Sequence, residues 1–150
     1  MSESPSPDSP LDFGDRFGRL GRSLGEREAE HVPDLGEARA CLAKLHAGVA
    51  AALADFHEAA RAAGAPHLDI SLGDVHIDDK HLRAVEFDVH RGRHRAIVTA
   101  KSRGEVTLVG PFHRGKTEGP CRTFPFAAEQ ELRDALGDFL ETFFEEAATP

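Results

Sequence analysis

The sequence contains no tryptophan and no tyrosine, and it has only two cysteines, Cys41 and Cys121. Without those two aromatic side chains it lacks the surfaces on which proteins most often stack sugars and nucleic-acid bases. The cysteines do not form a CxxC pair, which excludes a zinc ribbon and a thioredoxin-like motif. We expect both to be reduced thiols. The alternative, a redox disulfide, requires the first helix to touch the loop around Cys121.

Long apolar runs are also missing. The most apolar stretch, residues 42–63, is interrupted by charged and histidine side chains, so it does not predict a membrane-spanning helix. The N-terminus has neither the basic start nor the apolar run of a signal peptide. We therefore expect a cytoplasmic protein with no membrane partner.

Positive charge is scarce overall and unevenly spread, with a net charge of −8. Residues 127–150 contain seven acids and one arginine, whereas residues 65–126 contain eight acids and ten lysines or arginines. The overall acidity makes nucleic acid an unfavoured partner, because nucleic-acid binding needs a positive field. The acidic C-terminal segment is typical of a solvated helix face, and alternatively of a face that docks a basic partner.

Residues 1–33 predict a segment outside the folded core. The first eleven are rich in Ser, Pro and Asp, which is typical of disorder. Phe13, Phe17, Leu20 and Leu24 then follow at the spacing of one helical face. Four interspersed glycines each weaken a helix by about 1 kcal/mol, so we interpret these four apolar residues as a docking site that orders only against a surface. That surface is the protein's own domain, a partner protein or, least favoured, a membrane.

Residues 34–150 predict a single α+β domain that begins with a long helix. Pro33 and Asp34 are a typical helix start, and the Gly64–Pro66 segment a typical stop. The apolar residues between them repeat at heptad spacing: Leu35, Ala38, Leu42, Leu45, Val49, Ala52, Phe56 and Ala59. A helix of about thirty residues is about 45 Å long, whereas a seven-residue strand spans about 23 Å. The helix should therefore extend beyond the sheet, and its uncovered part needs cover from the N-terminal segment or from a second copy of the chain. We favour the second, a homodimer formed through residues 34–63.

The pattern then changes to the period of two that predicts β-strands. A first strand is expected from His67 to Leu72, followed by a β-bulge at Gly73-Asp74. The next hairpin turns at Arg91-Gly92 if it has a two-residue loop. This register places three pairs opposite each other: Phe87 and Ala96, Val85 and Val98, and Asp88 and Arg95.

A three-residue loop, Ser102–Gly104, predicts the register of the following hairpin. It places Val98 opposite Leu108, Thr99 opposite Thr107 and Lys101 opposite Glu105. A short fifth strand at residues 121–124 and a last helix from Ala127 complete the chain. The apolar stripe of that helix comprises Leu132, Leu136, Phe139, Leu140, Phe143 and Phe144. The predicted fold is therefore α+β: a long N-terminal helix, a four- to five-stranded antiparallel β-meander and a C-terminal amphipathic helix.

Residues 110–117 match the phosphate-binding pattern GxxxxGK[ST], directly after a predicted strand. However, Pro111 lacks one of the amides of a phosphate cradle, and Gly119-Pro120 prevents a helix from starting after Thr117. An antiparallel meander is also the wrong setting for this motif. We interpret residues 110–117 as the tip of a hairpin and expect no nucleotide cofactor.

Basic and histidine side chains offer a weaker binding hypothesis. An anion-binding patch would comprise Arg91, Arg93, Arg95, Arg114, Lys116 and Arg122. A metal site could form from His90, His94 and Asp69, with His113 nearby, but exposed hairpin histidines explain these residues as well, so we assign no metal. We also assign no catalytic residue: Cys121 near His113 is not a recognised nucleophile setting, and Arg95 should neutralise Asp88 beside Glu86.

Two functions remain open at this point. The favoured one is a non-enzymatic, small acidic protein-binding domain, an adaptor or chaperone-like protein that is dimeric. The alternative is a small-ligand or phosphate-binding domain, with or without enzymatic activity, that uses the basic hairpin tips at residues 90–95 and 110–122.

Overall fold

The computed structural model describes residues 13–78, 84–113 and 120–149. Within these ranges the elements are α1 (Gly14–Ala62), β1 (Ser71–Leu72), β2 (His76–Ile77), β3 (Ala84–Arg91), β4 (His94–Lys101), β5 (Glu105–His113), β6 (Cys121–Pro125) and α2 (Glu129–Ala148). The predicted α+β arrangement is confirmed. The segment of residues 1–11, for which the composition predicts disorder, lies outside the described ranges, and the domain division at residue 33 stays a prediction.

The strands form one antiparallel sheet with the connectivity of a meander. Its order is β1-β3-β4-β5-β6, and β2 pairs with the same edge of β3 as β1 does, at a different position along that strand. Leu72 lies opposite Val89, whereas Ile77 lies opposite Val85, so one extra residue is accommodated between β1 and β2. The β-bulge predicted at Gly73-Asp74 is therefore confirmed. The short strand predicted at residues 121–124 is confirmed as β6.

Strand pairing at this edge is shorter than the predicted strand from His67 to Leu72. Only Ser71 and Leu72 pair with β3 before the bulge. The reason is that the backbone N–H of Ile70 donates to Nε2 of His57 on α1, at 3.0 Å, instead of to a strand. The helix thus takes over a hydrogen bond that a longer strand would have made.

The predicted register of the β3–β4 hairpin is wrong by two residues. Phe87 lies opposite Val98, and the turn is Gly92-Arg93, flanked by the paired residues Arg91 and His94. Gly92 provides the left-handed backbone of this turn, with φ of 59°. Because the error is an even number, each side chain keeps its predicted face. Asp88 and Arg95 still form an ion pair, with 3.1 Å between Oδ2 and Nε.

The predicted register of the β4–β5 hairpin is confirmed. Val98 lies opposite Leu108, Thr99 opposite Thr107 and Lys101 opposite Glu105. The loop ends at Gly104, whose φ is 99°. A glycine adopts that left-handed conformation without the steric cost that a Cβ would add, which is why a three-residue loop fits here.

Helix α1 begins at Gly14, twenty residues before the predicted start at Asp34, so that prediction is wrong. The helix continues through residue 33, and its apolar face keeps its phase. Phe17 precedes Leu35 by eighteen residues, and Leu24 precedes Leu42 by the same number, which is five complete turns at about 3.6 residues per turn. At about 1.5 Å per residue, the helix is about 74 Å long.

Both helices cover the same face of the sheet and enclose the core. Helix α1 packs on β3 and β4, and α2 packs on β4, β5 and β6. The seam of α1 is buried as predicted as far as Val49, apart from the half-buried Leu45. Beyond it Leu53 is buried, Phe56 is half-buried, and Ala52 and Ala59 are exposed. The 3.6-residue period of a straight helix drifts away from a strict heptad, which accounts for this shift.

Helix α2 begins two residues after the predicted start at Ala127. Its predicted apolar stripe faces the core, with Phe143 fully buried and Phe144 at the margin. Its last turn is held by Arg91, which donates from Nη1 to the carbonyl oxygen of Ala147 at 2.6 Å. A cation at this end also complements the negative pole of the helix.

Candidate functional site

A groove separates the two helices on the sheet. Near their C-terminal ends the helices touch, with 4.9 Å between the ring centroids of Phe56 and Phe144. Toward the N-terminus of α2 they diverge and leave a groove of about 670 Å³. Along α1 the groove extends from Glu37 to Val49, and along α2 from Glu129 to Leu140. Because later positions of α1 lie beside later positions of α2, the two helices run parallel.

The groove has an apolar floor and a polar rim. Its floor consists of Leu45 and Val49 from α1 and the α2 leucines at positions 132, 136 and 140. Its rim carries Glu37 and Lys44 on one side and the ion pair of Glu129 with Arg133, at 2.8 Å, on the other. Apolar centres enclosed by polar rims are typical of protein-binding surfaces.

Two glycines widen the groove toward the end at which the two helices converge. Gly48 on α1 and Gly137 on α2 both line it, and the space beyond each Cα is open. A side chain at either position would project into the groove instead of into the core. These glycines therefore leave room for an occupant without weakening the packing on the sheet.

Cys41 lies in the α1 wall of the groove. Burial raises the pKa of its thiol, the nearby cation of Lys44 opposes that shift, and the carboxylate of Glu129 adds to it. A thiol with a raised pKa stays protonated at neutral pH and is a poor nucleophile. Cys121 lies on β6, on the sheet face that the helices leave uncovered, and both residues are thiols. The alternative of a Cys41–Cys121 disulfide is therefore wrong in this fold, because the sheet separates them.

The predicted partner-binding residues project from the domain. We call residues 13–27 the overhang, since all of them are exposed. The exposed fractions are 42% for Phe13, 53% for Phe17, 51% for Leu20 and 46% for Leu24. The protein's own sheet does not cover them, which removes one of the three predicted surfaces. Their role in binding a partner stays a prediction.

Among the described residues, two of the predicted anion-binding arginines have partners within the protein. Arg91 binds the carbonyl oxygens of Ala147 and His67, at 2.6 and 3.4 Å. Arg122 lies over the ring of Phe124, with its guanidinium carbon 5.1 Å from the centroid. Arg114 and Lys116 lie outside the described residues.

The β3–β4 turn contains a small pocket of about 210 Å³ beside Arg93 and His94. The carboxylate of Asp88 lines the same pocket and pairs with Arg95 at 3.1 Å and with Nδ1 of His90 at 3.3 Å. The negative charge of Asp88 inside the pocket repels an anion, and it already neutralises the nearby cation of Arg95. This arrangement supports an internal ion-pair cluster more than an anion site.

Antiparallel neighbours surround the strand that leads into the GxxxxGKT pattern. β5 pairs antiparallel with both β4 and β6 and extends to His113. Gly110 is part of this strand and donates its N–H to the carbonyl oxygen of Pro120 at 2.8 Å. A phosphate-binding loop instead connects a parallel strand to a helix. Residues 114–119, which connect β5 to β6 in the sequence, lie outside the described ranges.

Two histidines of α1 fasten the edge of the sheet to the helix. Nε2 of His46 lies 3.0 Å from the carbonyl oxygen of Gly73, and Nε2 of His57 accepts the N–H of Ile70 at 3.0 Å. The sequence analysis assigns no role to these two histidines. Their spacing of eleven residues, close to three turns, was the available signal, because it directs both toward the same edge.

The remaining metal and acid candidates have structural partners. The rings of His94 and His113 are 4.5 Å apart, and Glu86 binds Nε2 of His76 at 3.2 Å. Asp69 lies 3.4 Å from His57. In the part of the chain that the structure describes, no group of three or more His, Cys, Asp or Glu is placed to hold a metal ion.

Comparisons with protein-family models, curated proteins and solved structures each find no match. Among residues 13–78, 84–113 and 120–149, no helix has the length and apolar character needed to cross a membrane. The fold and the groove define the molecule as a two-layer α+β domain with an apolar interhelical groove. Its function has to be argued from that groove.

Proposed function

We propose that the protein is a non-enzymatic adaptor or chaperone-like domain of the cytoplasm that binds a basic amphipathic helix of a partner protein in the groove between α1 and α2. The apolar floor between two diverging helices is the observation that carries this proposal. Binding of an amphipathic helix in such a groove is a recurrent mode of protein recognition.

The dimensions of the groove suit a helix of about three turns. Its α1 wall, from Glu37 to Val49, is about 18 Å long at 1.5 Å per residue. Three turns of a helix are about 16 Å long and present three or four apolar side chains on one face. The floor leucines are arranged along the same direction, so they would contact such a face over its whole length.

The charge of α2 favours a basic occupant. This helix contains seven acids and one arginine between Glu129 and Ala148, and Glu129 stands on the groove rim. Opposite charge across an interface accelerates association and excludes partners of like charge. The rim itself is balanced, with Glu37 and Glu129 against Lys44 and Arg133, so the preference for basic over acidic helices comes from the other six acids of α2.

Substitutions at two exposed glycines of α1 test this proposal. Gly48 lines the groove, whereas Gly36 does not and lies on a different side of α1; neither has an atom within 4 Å of the position of a Cβ. The probe is a labelled helical peptide with leucines three and four residues apart and arginines on its other faces. We expect Gly48→Arg to weaken its binding at least about tenfold, or about 1.4 kcal/mol, by both size and charge.

Gly36→Arg is the matched control, because it adds the same side chain and the same gain in helix propensity outside the groove. It should bind the probe as the unsubstituted protein does, in a titration followed by fluorescence anisotropy. Equal affinity of all three proteins would show that the groove does not bind a helix.

A further inference from the structure

We propose that the helix that fills the groove is the overhang of a second copy of this chain, so that two chains form a two-fold dimer by exchanging residues 13–27. The inference rests on the proposed function of the groove as a helix-binding site and names its occupant. The direction of the overhang, its length, its charge and its glycines support this occupant.

The overhang cannot fill the groove of its own chain. Helix α1 is continuous from Gly14 to Ala62, so the overhang leads straight away from the sheet. Its apolar stripe lies on the same helical face as the buried stripe, since Phe17 and Leu35 are five complete turns apart. The overhang therefore has an apolar face of the kind that packs on a sheet and a helix. Its own domain provides no such surface beneath that face.

A second chain in antiparallel orientation places that face in the groove. The groove is closed where Phe56 meets Phe144 and open at the other end, from which the overhang leaves. An antiparallel α1 enters through the open end with its N-terminus leading. The two-fold axis then passes near residue 32 and sets residues 15–27 of each chain beside Glu37–Val49 of the other. These two segments are equally long, about 18 Å.

The glycines of the overhang gain a purpose in this dimer. Positions 14, 18, 21 and 25 each follow one of the apolar residues, so they form a second stripe about 100° around the helix. That stripe is on the side away from the groove of its own chain and, after the two-fold rotation, faces α2 of the other chain. A helix surface without Cβ atoms allows a third helix to fit between two others. In the single chain the space beside Gly18, Gly21 and Gly25 is open, so nothing there requires a glycine.

The charges of the two surfaces are complementary. The overhang contains four arginines and two acids, whereas α2 contains seven acids and one arginine. Exchange of the overhangs brings each basic segment near an acidic helix, while Arg16, Arg19 and Arg27, which share the helical face of Ser23, point toward α1 of the other chain. A second copy of this chain thus has the apolar spacing, the length and the charge that the groove selects.

The first test measures the mass of the full-length protein by sedimentation over a range of concentrations. We expect a dimer, and we expect Phe17→Ser combined with Leu20→Ser to weaken it at least about a hundredfold. Gly18→Gln combined with Gly21→Gln should weaken it as well, although glutamine strengthens the helix of the single chain. Gly36→Gln is the matched control and should leave dimerisation unchanged. A protein that is monomeric at every concentration would overturn the inference.

The second test fixes the arrangement by a disulfide. In the antiparallel dimer Ser23 of one chain faces Cys41 of the other, and both side chains point from their helices toward the shared interface. Mild oxidation of Ser23→Cys, in a Cys121→Ser background, should give a covalent dimer. Arg22→Cys in the same background points about 100° away and should not. A dimer that does not cross-link through Ser23→Cys is formed by another surface and would contradict the proposal.

The basic amphipathic peptide separates this inference from the proposed function. If the overhang fills the groove, the Phe17→Ser, Leu20→Ser variant is monomeric and binds the peptide at least about tenfold more tightly than the unsubstituted protein. Equal peptide binding by both proteins supports the groove as a helix-binding site but overturns the dimer. Absence of binding to the monomeric variant contradicts both.

Discussion

The two halves of α1 have the same apolar face but opposite surroundings. Leu42 is fully buried against the sheet, whereas Leu24, five turns earlier on the same line of the helix, is 46% exposed. The sheet-packed half contains the histidines that hold the sheet edge, and the overhang contains glycines with open space beside them. The periodicity of a sequence thus determines which face of a helix is apolar, but the sheet determines which part of that face is buried.

The overhang therefore retains an unused driving force for association. Burial of one large apolar side chain stabilises a protein by about 1.5–3 kcal/mol at most, and four such side chains stand exposed in the overhang. Each glycine costs its helix about 1 kcal/mol relative to alanine. A segment with these two properties is weak alone and gains most when another surface covers it.

Truncation of matched leucines gives the largest difference between the two halves. At a concentration at which the chain is monomeric, Leu42→Ala should lower the free energy of unfolding by about 2–5 kcal/mol, because it leaves a cavity beneath α1. Leu24→Ala should change it by less than about 0.5 kcal/mol. Urea unfolding followed by circular dichroism measures both.

The matched pair also indicates which alternative is wrong if the expectation fails. A large loss from Leu24→Ala in the monomer would mean that the overhang folds back on its own domain. It would remove the basis for the exchange of overhangs. Equal small losses from both variants would mean that α1 does not pack on the sheet as described.

The two hairpins show how much of the register could be predicted. For β4–β5, Gly104 marks the loop and Lys101 pairs with Glu105 across it, so local signals agree. For β3–β4, turns at Arg91-Gly92 and at Gly92-Arg93 both place apolar residues opposite each other, because they differ by two residues. In the observed register Arg91 donates to the last turn of α2, a contact with a residue far away in the sequence. No local pattern contains that information.

The start of α1 could have been predicted from the repeat of its apolar residues. A local helix-start signal was given more weight than that repeat. Pro33-Asp34 resembles a helix start, but the eighteen-residue repeat from Phe17 to Leu35 and from Leu24 to Leu42 shows that the apolar face continues without interruption. The overhang residues could accordingly be predicted as an exposed docking face. The groove could not, because its width depends on how far α1 and α2 diverge on the sheet, and the separate stripes of two helices do not specify their separation.

Replacement of glycines by alanine should give an intermediate difference between the halves. Gly48→Ala lies in the sheet-packed half, where the helix unfolds together with the core, so it should raise the free energy of unfolding by about 0.5–1 kcal/mol. Gly21→Ala should raise the helix content of the overhang but leave global unfolding unchanged within about 0.3 kcal/mol, because that segment opens independently. Urea unfolding and amide hydrogen exchange measure the two effects. Equal stabilisation by both variants would show that α1 unfolds as one unit.

The smallest expected difference in stability concerns the edge segment of the sheet, which is held by the sheet-packed half of α1 and not by the overhang. Nδ1 of His76 lies 3.0 Å from the carbonyl oxygen of Asp74, and Nε2 lies 3.2 Å from Glu86. The backbone carbonyl of Asp74 raises the pKa of His76 above its usual value; burial opposes this shift, and the carboxylates of Glu86 and then Asp88 add to it. A raised pKa means that the folded protein binds the proton more tightly than the unfolded chain. The resulting stabilisation is therefore complete below the unfolded pKa of about 6.5 and is lost as the pH rises through the folded pKa.

His76→Gln should consequently cost more stability at about pH 5 than at about pH 8.5. Because the ring is half exposed, solvent screening should keep the difference below about 0.5 kcal/mol. Urea unfolding of the two proteins at both pH values measures it, and amide exchange in the overhang should be the same in both proteins, since no contact connects that segment to β2. A cost of His76→Gln that is equal at the two pH values would mean that neither oxygen favours the protonated ring. A change in exchange within the overhang would instead mean that the two halves of α1 are coupled.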